Sequence, residues 1–160
     1  MYTSSQLLEN INAALAAITY PNRPEGLYEP VKYVLALGGK RIRPVLTLLA
    51  YNLWRDDMER AMPAALGLET YHNYTLLHDD LMDRADIRRG HPTVHRVWDE
   101  NTAILSGDTM LVLAYRLMQQ TGNAAVLELF TRTALEIGEG QQYDMNFERR
   151  TNVTVDEYIE

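Results

Sequence analysis

Apolar residues recur at three- and four-residue intervals through most of this 160-residue chain, and no segment keeps up an alternation of apolar and polar positions. Alternation is what a half-buried strand needs, whereas the longer repeat lines one face of a helix. The spacing therefore predicts an all-α fold. Leu7, Leu8, Ile11, Ala14, Leu15 and Ile18 share a first helical face, with Ser4 or Ser5 available as its cap. The breaker run Tyr20-Pro-Asn-Arg-Pro-Glu-Gly26 ends that helix, and a second apolar stretch from Leu27 to Leu37 stops at Gly38-Gly39. Pro44 falls in the first turn of the next segment, where proline is tolerated, and Val45, Leu48, Leu49 and Leu53 continue the face. The charged stretch from Arg55 to Arg60 reads as a solvated connection. One long helix is expected from Glu59 to Asp83, with Pro63 in its first turns, and two more over Asn101–Gln119 and Asn123–Glu148.

Thr154-Val-Asp-Glu157 has the spacing of a capping box, yet only three residues follow it. A helix that starts and is cut off, together with helices that are apolar on one side and lack partners, points to a fragment. Residues 1–160 are accordingly expected to be the N-terminal part of one domain that continues after Glu160.

Composition removes several classes of function. With 46% apolar and 23% charged residues the chain lies outside the disordered range. It has no cysteine, so disulfides, thiol nucleophiles and thiolate zinc sites are excluded and the cytoplasm is the expected compartment. A net charge of −7 argues against a general nucleic-acid binder. No apolar run approaches the roughly 20 residues of a membrane span, and no secretory leader is expected. Asn73-Tyr-Thr75 and Asn152-Val-Thr154 match the glycosylation pattern and read as chance matches.

Chemistry concentrates in three places. In His78-Asp-Asp-Leu-Met-Asp83, Asp79 and Asp83 lie four residues apart and so one turn apart on a helix face, which Asp86 would extend if the helix continued. Like charges there repel, leaving either a solvated acidic surface or a cation site; two carboxylates suit Mg²⁺ completed by water and phosphate oxygens. Gly38-Gly-Lys-Arg-Ile-Arg-Pro44 sets three cations beside a glycine pair and a helix start, where free N–H groups also favour an anion. Arg88-Arg-Gly90 adds two more. Five cations in two glycine-marked turns of an acidic chain are expected to meet an anionic ligand, against the alternative of solvated surface charge.

These motifs, with Gly140-Gln-Gln-Tyr-Asp144, occur in the order found in trans-isoprenyl diphosphate synthases, and from roughly Tyr28 to Asp144 the sequence resembles the first half to two-thirds of that family. The resemblance implies an isoprenoid-synthase helical bundle around a central cavity, here truncated, and a short-chain prenyltransferase of isoprenoid biosynthesis. It implies that Lys40, Arg43, His72 and Arg89 hold the diphosphate of isopentenyl diphosphate. Asp79 and Asp83 would bind Mg²⁺ bridging to an allylic diphosphate (dimethylallyl, geranyl or farnesyl), and Arg88 would contact that same group. Gln141 and Asp144 would line the allylic side. His72 precedes Asp79 by seven residues, two turns along one face, so an imidazole and carboxylates can line one cavity.

The implied reaction is head-to-tail condensation: the allylic carbon–oxygen bond breaks, the isopentenyl double bond attacks the cation, and a proton leaves to the released diphosphate or a nearby group. Water must be kept out, hence an apolar cavity beneath a polar mouth. The family's chain-length position, the fifth residue before the acidic motif, is Tyr74, about 7.5 Å below Asp79 along a helix axis. An aromatic floor there implies a C15 or C20 product, with the small Thr75 favouring C20; the alternative is that Tyr74 packs against a neighbouring helix. Family members are usually homodimers, and the same is expected here.

His91 and His95 are four residues apart but span Pro92, which argues against a zinc pair, and Asp108 reads as a helix-start residue. The family's second aspartate-rich motif and downstream lysine do not occur in this sequence, so residues 1–160 alone are expected to be inactive. Two other readings compete: a noncatalytic subunit of a heteromeric prenyl synthase, which intact Lys40, Arg43, Asp79, Asp83, Arg88 and Arg89 disfavour, and a terpene cyclase, which would not need the isopentenyl site.

Overall fold

The computed structural model describes residues 2–159; the expected domain limits Met1 and Glu160 lie outside the described residues. The chain divides into two compact units, residues 1–122 and 123–160. In the first, α1 (Ser4–Ala16), α2 (Glu29–Ala36), α3 (Ile42–Asn52), α4 (Met62–Met82), α5 (Val94–Val97) and α6 (Glu100–Gln119) are joined by a 3₁₀ turn at Met58–Arg60 and a small hairpin, β1 (Ile87–Arg88) and β2 (His91–Pro92). The second carries α7 (Ala124–Phe147) and α8 (Val155–Ile159).

Helix boundaries follow local chemistry. The cap of α1 is Thr3 rather than Ser4 or Ser5: its hydroxyl accepts from the Gln6 N–H while the Gln6 side chain accepts from the Thr3 N–H. Such a reciprocal cap is worth about 1 kcal/mol. Pro44 and Pro63 sit in the first turns of α3 and α4, where no intrahelical N–H is lost. The expected capping box at the chain's end is present, with Thr154 and Glu157 bonding each other's backbone N–H. The segment 55–60 is not wholly solvated, because its 3₁₀ turn buries Met58 against the core. Asp108 is not a helix start: it lies mid-way along α6, whose cap is Asp99, accepting from the Thr102 N–H at 2.8 Å.

Helix α4 is the centre of the first unit. It packs along α6 and also against α3, α1 and α2. Leu7, Ile11, Val31, Leu48, Ala65, Ala103 and Met110 form the fully buried part of one continuous core. Because neighbours surround α4, its polar residues Glu69, Thr70, Asn73 and Asp80 are buried too, and each must find an internal partner. Thr70 does so locally, donating to the Leu66 carbonyl at 2.8 Å.

Close contact of α4 with α6 depends on Gly67. A Cβ there would stand 3.1 Å from the Met118 methyl and 3.2 Å from the Ala114 carbonyl oxygen. Backbone on one side leaves little room to yield. Gly67→Val is expected to destabilise the fold by about 1–3 kcal/mol through overpacking, seen as a lower urea midpoint at unchanged m-value.

Candidate active site: a basic cleft beside an acidic helix end

The turn between α2 and α3 can only be built with left-handed backbone. Gly38 and Gly39 have φ of 74° and 137°, and Arg41 follows at 47°. Gly39 also leaves space for a guanidinium, since a Cβ there would stand 3.0 Å from the Arg89 Cζ. Arg41 is the exception among the expected anion-facing cations. It is 4% exposed and points inward, donating to Glu69 Oε1 and to the Leu35 carbonyl at 2.6 Å each, and to Asn12 Oδ1 at 3.3 Å. A non-glycine residue in this conformation costs about 1–2 kcal/mol, and a buried charge costs more; the Glu69 pair and two further acceptors offset both.

With Arg41 turned in, Lys40 and Arg43 are turned out. They border a cleft of ≈ 460 Å³ whose walls also include Gly39, Glu69, His72 and Arg89. Four of the expected residues, Lys40, Arg43, His72 and Arg89, thus meet at one place. Arg43 Nη1 lies 3.3 Å from His72 Nε2. A guanidinium is only a donor, so Nε2 accepts and the proton of a neutral imidazole sits on Nδ1. Burial holds the His72 pKa below its usual value, and the nearby charge of Arg43, followed by Arg89 and Arg41, adds to this against the opposing pull of Glu69.

Along the same helix, α4 ends at Met82 with Asp83 as its C-cap. The helix does not continue, so Asp86 leaves the acidic face and pairs instead with Arg96 at 2.6 Å. Asp79 and Asp83 remain one turn apart at the helix end, while Asp80 between them points inward and is 6% exposed. Asp80 Oδ1 accepts two bonds from Arg88, from Nε at 2.8 Å and Nη2 at 2.6 Å, and Asp79 Oδ2 lies 3.5 Å from the same Nη2. The hydrogen bond to Asp80 is the first cause holding the Arg88 guanidinium more firmly charged than usual. Asp79 and Asp83 do not border the basic cleft that holds His72.

The two parts are joined by the hairpin. Arg88 and Arg89 are consecutive, yet Arg89 turns the other way with φ of 52°, and it donates to the Gly38 carbonyl and to Asn73 Oδ1, the latter at 3.3 Å. Burial, then the charge of Arg41, eases its pKa downward. The hairpin is pinned from both sides. Tyr33 on α2 donates to the Pro92 carbonyl at 2.7 Å, and Thr93 donates to the Ala85 carbonyl at 2.7 Å.

Tyr74 is half-buried, its ring edge-on to His78 at 4.9 Å and tilted on Tyr71 at 5.4 Å. Burial raises its pKa, with Asp108 across on α6 adding to the shift. The Thr75 hydroxyl donates to the His72 carbonyl at 2.8 Å. Gln141 and Asp144 are exposed on α7 of the second unit. Sequence reasoning missed Glu69, Asn73 and Asp80. Their signal was available: Glu69, His72 and Asn73 form a polar i, i+3, i+4 set inside a buried apolar stretch, which a helix tolerates only with partners.

Comparison with known proteins places the chain in a family. The family described as polyprenyl synthetase matches residues 24–160. The chain is 42% identical to a geranylgeranyl diphosphate synthase of Methanosarcina mazei, covering 94% of this chain and 48% of that one. It is also 42% identical to a short chain isoprenyl diphosphate synthase of Methanocaldococcus jannaschii, covering 100% and 49%. A crystal structure of a geranylgeranyl pyrophosphate synthase superposes with a TM-score of 0.93 at 48% identity, covering 99% of this chain and 50% of that one. The synthetase from Geoglobus acetivorans gives 0.91 at 38% identity, covering 97% and 52%. The chain thus spans about half the length of the curated relatives it matches. Its ordered motifs, its helical architecture and these matches agree: the chain belongs to the polyprenyl synthetase family.

Proposed function

We propose that this chain is the N-terminal half of a short-chain prenyl diphosphate synthase, which joins isopentenyl diphosphate to an allylic diphosphate to give a C15 or C20 product. The observation that carries the reading is the opposed pair on the hairpin. Arg88 is committed to the acidic helix end and Arg89 to the basic cleft, so one rigid element serves two adjacent subsites of different character. Two diphosphates, one held by cations alone and one through a metal, call for that division.

In the first subsite Lys40, Arg43 and Arg89 would hold the isopentenyl diphosphate. Neutral His72 would orient it without adding charge, its Nδ1–H free to donate. In the second, Asp79, partly exposed, and Asp83, exposed, offer carboxylates one turn apart. Among the described residues no set of three or more His, Asp or Glu groups forms a metal cluster. Magnesium, which takes one or two carboxylates and completes its octahedron with water and phosphate oxygens, needs none, so these residues fit it. When bound, Mg²⁺ would neutralise the charge growing on the departing diphosphate. Arg88, fixed by Asp80, would present its remaining N–H groups to the same leaving group. Tyr74 would close the cavity below; Gln141 and Asp144 are proposed, from the motif they share with the family, to serve the allylic substrate.

Among the described residues no helix is long and apolar enough to cross a membrane. A cytoplasmic homodimer is the assembly that accompanies this reading.

The test is product analysis of the full-length protein with isopentenyl diphosphate, each of the three allylic primers and Mg²⁺. A C15 or C20 prenyl diphosphate is expected, and absence of any condensation product would overturn the assignment. Chelation with EDTA should abolish turnover and added Mg²⁺ restore it, while Asp79→Ala should lower kcat by about 10²–10³-fold. Tyr74→Ala should lengthen the product on chromatography; an unchanged length would remove Tyr74 from the floor. Residues 1–160 alone should show no turnover with the same substrates.

A further inference from the structure

We infer that Glu69 and Asn73 are positioning residues for isopentenyl diphosphate, a buried relay that sets the Arg89 guanidinium over the basic cleft from beneath. The inference rests on the prenyl-transfer reading proposed above. Asn73 is 1% exposed, and both hydrogens of its amide are committed to one residue, to the Glu69 carbonyl at 2.8 Å and to Glu69 Oε1 at 2.9 Å. That commitment fixes which way the amide faces. Reversed, its oxygen would meet two acceptors and its NH₂ would meet a cation. The oxygen is therefore left to Arg89 Nη1, at 3.3 Å.

Glu69 is itself held. Its Oε1 accepts from Arg41 Nη1 at 2.6 Å as well as from Asn73, and Arg41 is tied further to α1 through Asn12 and to α2 through the Leu35 carbonyl. The result is a line of hydrogen bonds, Asn12–Arg41–Glu69–Asn73–Arg89, whose three middle members are buried; of its two exposed ends, Arg89 is the one that borders the basic cleft. Glu69 borders the cleft but is 2% exposed. An accessible carboxylate would repel a diphosphate, and pairing with Arg41 removes that objection. What the relay supplies is orientation of Arg89, whose other partner is the Gly38 carbonyl.

A role in folding alone would weaken everything together, whereas a role in placing Arg89 falls on one substrate. The experiment uses the full-length protein and measures isopentenyl diphosphate binding by calorimetry without Mg²⁺, alongside KM for both substrates and the melting temperature. Asn73→Ala is expected to weaken isopentenyl diphosphate binding about tenfold, as loss of a bond to a charged group would, with the allylic KM within about twofold of wild type. Glu69→Gln should act in the same direction. If that variant fails to fold, Asn73→Ala carries the test. Unchanged isopentenyl affinity in Asn73→Ala, or an equal rise in both KM values accompanied by a fall in melting temperature, would overturn the inference. A wild type that binds isopentenyl diphosphate but forms no product would sink the prenyl-transfer reading instead, with the effect of Asn73→Ala still read from binding.

Discussion

The Arg41–Glu69 ion pair is the contact on which the candidate site depends. Two opposite charges, each almost wholly buried, meet at 2.6 Å between the turn that starts α3 and the middle of α4. Removing either leaves an uncompensated charge in the core, at a cost of about 3–5 kcal/mol. The pair therefore holds the turn 38–41 in its left-handed path. With Arg41 drawn in, its neighbours Lys40 and Arg43 face out, and a run of like charges becomes one structural anchor flanked by two cleft-facing cations.

Helix α4 works as a beam with chemistry at two levels. Its middle, through Glu69, His72 and Asn73, supports the basic cleft, and its end, through Asp79, Asp80 and Asp83, forms the acidic turn. Packing on several sides makes this workable, because a helix held by α6, α3, α1 and α2 keeps polar groups at fixed separations. The same surroundings oblige its polar side chains to pair internally. Asp80 meets this by taking Arg88, and Asn73 by joining Glu69 to Arg89. The hairpin then couples the levels through two consecutive arginines, one for each.

Most of the helices were legible from spacing because burial of an apolar face is a local, periodic property. The long helix through the acidic motif, the helix after Asn101 and the terminal capping box were read within a few residues. Errors fell where a local rule had competitors. Ser4 and Ser5 are both acceptable caps, and Thr3 wins because Gln6 stands at the position that returns the bond. Met58 is drawn in from a charged stretch by the core beneath it. The condition under which Asp86 would have extended the acidic face is not met, because the helix stops at Met82, with Asp83 as its cap and Arg84 taking a left-handed φ of 53°.

By itself the sequence determined the family and singled out the charged residues of the two candidate subsites, since motif order and helical period are properties of the chain read in one dimension. It also determined that Asp79 and Asp83 share a face, because a helix places residues four apart together whatever surrounds it. Which charges face the cleft and which face the core was decided only in three dimensions. Lys40, Arg41 and Arg43 are alike in sequence, as are Asp79 and Asp80, and the difference within each set comes from a partner on another element: Glu69 on α4 for Arg41, Arg88 on the hairpin for Asp80. Burying a charge is tolerable only where its counter-charge is already held in place, and that depends on packing between helices that no local spacing records.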